Sequence, residues 1–191
     1  MGRPATFDRD TAVRAAREVF WRLGFEAVAI PDLEHATGLG RSSLYHAFGS
    51  KRGLFDAAVQ SYLDEIVRPR LRPLLHDPVP SGALADYLSG LAQVFARADT
   101  PAAANGCLLI NTAGSPLAHD ADVAEVITAY RAELRHAIDR GIRARRPHDD
   151  PAERERTSAT VTGLVVGAYA LARISPEEAV RLISTARSLV V

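Results

Sequence analysis

The stretch Ile30–Phe55, IPDLEHATGLGRSSLYHAFGSKRGLF, decides the fold of this chain. A short helical pattern over residues 31–37 stops at Gly38, and a second one over residues 41–47 follows after a short link. Two short helices joined by a glycine-containing turn form a helix-turn-helix, whose second helix can enter the major groove of DNA. The sequence therefore predicts a DNA-recognition element near its N-terminus.

The second helix of this pair divides its side chains between two faces. Leu44, together with Phe48 just beyond the helix, is left to face a core. Arginine can hold guanine with two hydrogen bonds and serine can serve several bases, so the other face suits base recognition. An alternative for its tyrosine is a ring packed on the core of its own domain. The candidate DNA contacts on this face are Arg41, Ser42, Ser43, Tyr45 and His46.

Two basic residues on either side of the helix-turn-helix are further candidates for phosphate contacts. Arg3 lies in a short arm, Gly2-Arg3-Pro4, which either follows the backbone or minor groove of DNA or is a disordered terminus. Ser50 is predicted to cap the next helix. Lys51 then occupies the first position of that helix, where the N-terminus already favours an anion.

The composition limits the class of protein. A chain of 191 residues with 47% hydrophobic residues can bury a core, and its 23 basic and 23 acidic residues cancel, which favours specific binding over nonspecific coating of DNA. A single cysteine and the lack of an apolar signal segment favour the cytoplasm. The most apolar run, residues 159–172, is shorter than the ~20 residues of a membrane span.

Helical patterns occupy nearly the whole chain, and strand signals are almost absent. The first helix is predicted to begin at a cap on Asp8 or Asp10 and to end at Leu23, before Gly24. Its apolar stripe is predicted to be buried and consists of Val13, Ala16, Phe20 and Leu23. A helix from residue 51 is predicted to kink or end at Pro69 and Pro73.

The remaining helices are predicted from the same spacing and from turn residues. They cover residues 81–97, 107–113, 120–145 and 153–173, and a last helix begins behind a cap at Ser175. We therefore predict an all-α protein of about nine helices. Residues 1–50 are predicted to form a three-helix DNA-binding head, and residues 51–191 a helical body for ligand binding and dimerisation.

Residues 7–55 resemble the TetR family of bacterial transcriptional repressors. The matching motifs are Phe20-x-x-x-Gly24-Phe25, Leu33-x-x-Ala36-Thr37-Gly38-Leu39 and Leu44-Tyr45-x-x-Phe48-x-Ser50-Lys51-x-x-Leu54-Phe55. An Asn105-Gly106-Cys107-Leu108 segment is similar to one in some branches of the family. The resemblance implies a homodimer whose two heads bind a palindromic operator. It also implies a small-molecule site in the body and a four-helix interface built from the last two helices of each protomer.

The resemblance assigns roles to individual residues of the helix-turn-helix. Arg41, Ser42 and Ser43 are implied to contact base edges. Tyr45, His46 and Lys51 are implied to contact phosphates. Three positions depart from the family pattern: Ala29 and Gly40 stand where a hydroxyl residue often caps a helix, and Ala47 replaces a frequent histidine. Each departure removes a possible contact, which increases the expected weight of Arg41, Tyr45, His46 and Arg3.

The last two predicted helices carry the candidate dimer interface. The helix over residues 153–173 is apolar nearly all round, and such a helix must be covered on every side. A dimer through both helices satisfies this requirement, and burial of both within one protomer is the alternative. The predicted interface residues are Gly163, Val166, Gly167, Leu182, Ile183 and Ala186.

A small hydrophobic ligand is predicted to bind among the central helices, where apolar side chains surround a few polar ones. Each residue of this set could equally be ordinary core. The predicted ligand residues are Tyr62, Leu88, Leu91, Phe95, Cys107, Asn111, Tyr130 and Leu134. Cys107 is either a sensor of oxidants or electrophiles near a helix N-terminus or a small buried hydrophobe.

The favoured function is a ligand-responsive transcriptional repressor that binds a palindromic operator as a homodimer and is released by a small molecule. One alternative is a helical ligand-binding or enzymatic protein whose helix-turn-helix does not bind DNA. Another is a transcriptional activator of the same fold. No catalytic constellation, metal-ligand spacing or cofactor motif stands out, so an enzyme, a metal site and a bound cofactor are not expected. No association with a membrane is expected either.

Overall fold

The computed structural model describes residues 8–97 and 99–191, and within these ranges the chain is helical with no β-strand. The all-α prediction is confirmed. The described α-helices are α1 Arg9–Leu23, α2 Ile30–Thr37, α3 Arg41–Phe48, α4 Lys51–Tyr62, α5 Arg68–Leu75, α6 Ala83–Ala96, α7 Pro101–Asn105, α8 Leu108–Ala113, α9 Ala121–Arg145, α10 Pro151–Leu171 and α11 Pro176–Ser188. They number about nine if the uninterrupted helical run 51–75 is counted once and the short α7 is counted with α8.

The chain divides into two compact units, one ending at Val67 and the other running from Arg68 to Val191. The helix that follows the helix-turn-helix therefore belongs to the first unit, whereas the predicted boundary lay at residue 50. The physical reason is that α4 packs along α1 and contributes Leu54, Phe55, Ala58, Val59 and Tyr62 to that unit's core. No helix in the described part of the chain is both long and apolar enough to cross a membrane.

Aromatic side chains fill the core of the first unit. The ring of Phe20 packs edge-on against Phe55 at 5.2 Å between centroids, and Phe25 lies the same distance from Phe55. Trp21 packs in the same way against Tyr62 at 5.0 Å. Leu23, which was predicted to be buried, is 43% exposed because the first helix ends there and its last turn projects beyond the core.

The first helix begins and ends where its flanking residues predict. Asp8 caps α1, and its carboxylate accepts a hydrogen bond from the backbone N–H of Asp10. Gly24 ends the helix with a φ of +79°, a conformation that glycine adopts without steric cost.

The helical run 51–75 changes its winding before it reaches its prolines. α4 ends at Tyr62, and a π-helical segment of five residues, Leu63–Val67, leads directly into α5. Pro69 and Pro73 both lie inside α5, so the helical run does not end at either of them. The change in winding comes before the prolines and not at them. Since Pro69 has no N–H to donate one turn back, the preceding backbone is free to leave the α-helical pattern.

The second unit is built around leucines at helical spacing. Leu84, Leu88, Leu91 and Phe95 of α6 are all buried, as their spacing predicts. α6 packs against α11, and α9 packs against α5 and α10. At Gly141 of α9, an added Cβ would lie 2.7 Å from the Cβ of Leu84, so glycine is required for this close approach.

The helix starts in the second unit differ from the prediction by up to two residues, and the starts of α8 and α11 lack a side-chain cap. The short helix predicted over residues 107–113 begins at Leu108, and Cys107 occupies its cap position without a side-chain bond that caps the helix. Ser175 precedes α11 as predicted, but its side chain makes no capping bond. Its ψ of 82° departs from the extended backbone that a capping serine normally adopts.

Candidate nucleic-acid interface

The second helix of the helix-turn-helix, α3, presents one buried anchor and an exposed polar surface. Leu44 is buried in the core of the first unit. The candidate DNA contacts on α3 are all exposed: Arg41, Ser42, Ser43, Tyr45 and His46. Phe48 is half-buried at the end of the helix rather than fully enclosed. These residues therefore lie on a single surface that DNA can reach.

Tyr45 is 39% exposed, although part of its ring lines a shallow crevice with Leu33 and Leu54. The guanidinium carbon of Arg41 lies 5.6 Å from the centre of the Tyr45 ring. A cation over an aromatic face is attracted by the negative potential of the ring. The two candidate contacts thus lie together on the surface, while part of the tyrosine ring also lies against apolar residues of its own unit.

Two more cations lie over aromatic rings beside this surface. The ammonium nitrogen of Lys51 is 4.5 Å from the centre of the Phe25 ring, at the N-terminus of α4. Arg9, at the start of α1, lies with its guanidinium carbon 4.9 Å from the centre of the Phe48 ring. Arg9 was not among the predicted DNA contacts, because sequence spacing does not show that the start of α1 meets the end of α3. Arg3 lies outside the described residues.

Carboxylates accept backbone N–H groups at the two helix starts where a capping hydroxyl is missing. At the start of α2, Asp32 accepts a hydrogen bond from the backbone N–H of Ala29 at 2.8 Å. At the start of α3, Glu34 accepts one from the backbone N–H of Arg41 at 2.6 Å. An acidic residue three positions after a cap is a recognisable signal, so Asp32 could have been found from the sequence. Glu34 could not, because it is seven residues away from its partner and reaches it across a turn.

A buried arginine joins α1 to the π segment of the same unit. Arg17 is only 8% exposed, and its guanidinium donates to Glu65 at 2.8 Å and to the hydroxyl of Ser61 at 2.9 Å. The hydrogen bond from Arg17 lowers the pKa of Glu65 below its ordinary value, since it stabilises the carboxylate. Arg14 donates to the other oxygen of Glu65 at 3.4 Å.

The residues predicted to bind a ligand fall in both units. Tyr62 is a core residue of the first unit, and the other seven lie in the second. There the thiol of Cys107 lies 3.7 Å from the hydroxyl of Tyr130, and both residues are buried. The amide of Asn111 donates to the carbonyl of Asn105 at 2.7 Å and so holds the turn between α7 and α8. Leu88, Leu91, Phe95 and Leu134 are also buried in this unit.

Polar groups that the sequence analysis did not single out lie close to Cys107. Burial raises the pKa of Tyr169 to about 12, against the opposing effect of the Arg70 guanidinium. Burial likewise raises the pKa of Tyr87 well above its ordinary value. The ring of Tyr169 packs edge-on against Phe95 at 5.1 Å. The second unit thus combines buried apolar side chains with the phenol groups of Tyr130 and Tyr169, and with Tyr87, which is half-buried.

The residues predicted to form a dimer interface divide into two groups. Gly163 is exposed, and Val166, Gly167 and Leu182 are half-buried. Ile183 and Ala186 are completely buried within the single chain, because α11 turns this face toward α6 and α10. The structure therefore places these two residues in the core of the protomer and not on its surface.

A helix-turn-helix whose second helix exposes polar side chains is typical of DNA-binding proteins. Comparison with known proteins gives the family. The family model for bacterial regulatory proteins of the tetR family matches residues 12–58. The regulator YezE of Bacillus subtilis (strain 168) is 32% identical over 143 residues, which are 74% of this chain and 72% of YezE. The chain belongs to the TetR family of transcriptional regulators, which are DNA-binding proteins and not enzymes.

Two further relatives extend the comparison. The transcriptional repressor ComR of Escherichia coli (strain K12) is 36% identical over 132 residues, and the match spans 69% of this chain but only 61% of ComR. A cysteine mutant of the TetR family regulator CifR, solved with a 26-bp operator duplex, superposes with a TM-score of 0.79 at 28% identity over 98% of both chains. The likeness to CifR covers both units of the chain.

Proposed function

We propose that this protein is a transcriptional repressor that binds a palindromic operator as a homodimer and leaves it when a small molecule binds. The observation that carries this proposal is the surface of α3, where Leu44 anchors the helix and five hydrogen-bonding side chains stay exposed. Repression of transcription by ComR and the operator complex of CifR support it. We place its action in the cytoplasm, where the bacterial chromosome lies.

Within this proposal the exposed residues of α3 have separate roles. Arg41, Ser42 and Ser43, at the N-terminal end of the helix, contact base edges, since recognition helices meet the bases mainly through their first residues. Tyr45 and His46 contact phosphates, as does Lys51 at the start of α4. Arg3 extends the contact into the flanking backbone or minor groove.

A homodimer follows from the need for two recognition helices on one operator. The interface we propose uses the outer faces of α10 and α11, through Gly163, Val166, Gly167 and Leu182. Apolar side chains on either side of α11 are exposed in the single protomer, with Ile174 at 81% and Val191 at 54%. Burial of such side chains against a second copy supplies a hydrophobic driving force.

Release by a small molecule is proposed to work as a two-state change. The ligand binds within the second unit, among the apolar and phenolic side chains around Cys107 and Tyr130. The helical run 51–75 passes without interruption from the first unit into the second, so a change of its winding alters how the recognition helices are presented. The ligand acts only as far as it binds the released state better than the DNA-bound state.

The first prediction tests the surface of α3. Tyr45→Ala and Arg41→Ala are each expected to abolish specific operator binding. The first variant removes a phosphate contact. The second removes a bidentate contact to a base, which contributes about 1–3 kcal/mol of discrimination. Binding is measured by gel shift, at a stated salt concentration, on DNA from upstream of the protein's own gene. Arg131→Ala, at an exposed arginine of α9, is the matched control and is expected to bind like the wild type.

The same experiment separates the alternatives. Both α3 variants should remain dimers in size-exclusion chromatography with light scattering, because α10 and α11 are unchanged. Tight, specific binding by both variants would contradict the role of α3. No specific binding by the wild-type protein to any DNA would favour a helical ligand-binding protein. A reporter gene behind the bound site distinguishes repression from activation.

A further inference from the structure

The recognition helix begins at a residue that cannot cap it. Gly40 occupies the cap position of α3 with extended backbone, φ −69° and ψ 159°, and has no side chain to accept a hydrogen bond. The first N–H groups of any helix lack partners within the helix, and an uncapped start frays. For a helix of eight residues, fraying of the first turn would displace the residues that meet the bases.

Glu34, in the preceding helix, supplies an acceptor for the first N–H group of α3. Its carboxylate oxygen lies 2.6 Å from the backbone nitrogen of Arg41, the first residue of α3. Its backbone carbonyl accepts the N–H of Gly38 at 2.9 Å, and Gly38 ends α2 in the left-handed conformation. One residue therefore holds both the end of α2 and the beginning of α3.

Thr37, at the end of α2, makes its side-chain bonds within α2 and the turn and not to α3. The hydroxyl of Thr37 accepts the N–H of Leu39 at 3.2 Å and donates to the carbonyl of Leu33 at 2.6 Å. The bond from Glu34 is thus the side-chain contact that ties the first residue of α3 to α2. It is charge-assisted, and a carboxylate at a helix N-terminus also interacts favourably with the helix dipole.

We propose that Glu34 is a positioning residue for DNA recognition, which fixes the start of α3 in place of the cap that Gly40 cannot provide. The inference rests on the proposed function. By holding the backbone of Arg41, Glu34 fixes the position of Arg41, Ser42 and Ser43 relative to the base edges. Base contacts demand this geometry, whereas phosphate contacts depend mainly on charge.

A negative charge beside a DNA-binding surface also has an opposing effect. If Glu34 acted only through its charge, it would repel the phosphates, and removing it would tighten binding to every DNA sequence. If Glu34 positions α3, removing it weakens binding to the operator and leaves nonspecific binding unchanged or slightly tighter. The two effects have opposite signs on the operator, so measurement separates them.

The experiment compares Glu34→Ala and Glu34→Gln with the wild type and with His35→Ala, at an exposed neighbour on α2. The probes are a duplex selected by the wild-type protein from a random pool and a scrambled duplex of the same length and composition. Loss of a helix cap corresponds to roughly a 3- to 10-fold change in an equilibrium constant. We expect Glu34→Ala to weaken operator binding by about that factor without weakening binding to the scrambled duplex. Glu34→Gln, which keeps an oxygen acceptor, should lose less.

A second substitution tests whether Glu34 replaces the missing cap. Gly40→Ser restores a capping hydroxyl, and we expect it to recover most of the lost operator binding in the Glu34→Ala background. In the wild-type background the same substitution should have a smaller effect. A mere loss of folded protein would not be corrected in this selective way, and circular dichroism at the assay temperature confirms that each variant is folded.

The outcomes are distinct. Tighter operator binding by both Glu34 variants would overturn the proposal, as would equal weakening on the operator and the scrambled duplex. Failure of Gly40→Ser to recover operator binding in the Glu34→Ala background would also overturn it, because a cap at the start of α3 would then not replace Glu34. If the wild-type protein selects no duplex from the pool, it is the proposed function that fails.

Discussion

At the scale of single residues, the recognition surface is held by contacts between cations and aromatic rings as well as by helix caps. Arg41 lies over Tyr45, Lys51 over Phe25 and Arg9 over Phe48. Each ring restricts a long, flexible side chain before DNA arrives, which lowers the entropy lost on binding. The rings belong to residues of the family motif, so they serve the core and the surface together.

A prediction at this scale concerns Lys51. Its replacement by alanine should weaken binding to the operator and to unrelated DNA by similar factors, because a phosphate contact carries no sequence information. Each phosphate contact contributes about 0.9 to the slope of log affinity against log salt concentration. The slope should therefore fall by about one for each Lys51 that contacts DNA, and titrations at several salt concentrations measure it. An unchanged slope would remove Lys51 from the phosphate contacts.

At the scale of elements, the π segment Leu63–Val67 is held to α1 by the guanidinium of Arg17. π-helical turns within α-helices are often found at functional sites, and this one lies where the first unit ends. The bonds from Arg17 to Ser61 and Glu65 keep the segment against α1. A change of winding in this segment would have to break the bonds from Arg17. The proposed switch therefore has a free-energy cost that these bonds set.

The prediction for this element is that Arg17→Met destabilises the first unit. Methionine retains the buried apolar stem but leaves Ser61 and Glu65 without the guanidinium, which should cost about 1–3 kcal/mol. Trp21 is the single tryptophan and lies in the core of the first unit, so its fluorescence during urea unfolding reports on this unit. A variant as stable as the wild type would show that the bonds contribute nothing.

The same element predicts a dependence on acid pH. The pKa of Glu65 is lowered in the folded protein, chiefly by the hydrogen bond from Arg17. Its contribution to stability is therefore fully present above the ordinary value of 4.5 and is lost as pH falls through the lower, folded pKa. In Glu65→Gln, the free energy of unfolding should fall less steeply over this range. An identical acid slope in both proteins would contradict this role for Glu65.

At the scale of the whole molecule, the two units have different interiors. The first unit is closed by aromatic rings and has Arg17 as its buried cation. The second unit contains the phenol groups of Tyr87, Tyr130 and Tyr169 near a buried thiol. Polar groups among apolar walls are what a small ligand needs for orientation and specificity, which is why we place the ligand in the second unit.

A prediction for the second unit follows from the raised pKa of Tyr169. The phenol stays neutral in the folded protein up to about pH 12, whereas in the unfolded chain it ionises near its ordinary value of 10.0. Its protonated form thus supports folding below pH 10.0, and this contribution is lost as pH rises toward the folded value. The free energy of unfolding of Tyr169→Phe should fall less steeply over this range. An equally steep fall would contradict burial of this phenol.

The sequence by itself determined the helix-turn-helix, the all-α class and most helix boundaries. Glycines, capping residues and apolar spacing are local signals, and they act over one or two turns of the chain. Only the tertiary structure decided that Glu34 caps α3, that Arg17 holds the π segment, and that Ile183 and Ala186 lie inside the protomer. Each of these contacts depends on which helix faces which, and that is set by the packing of side chains distant in the sequence.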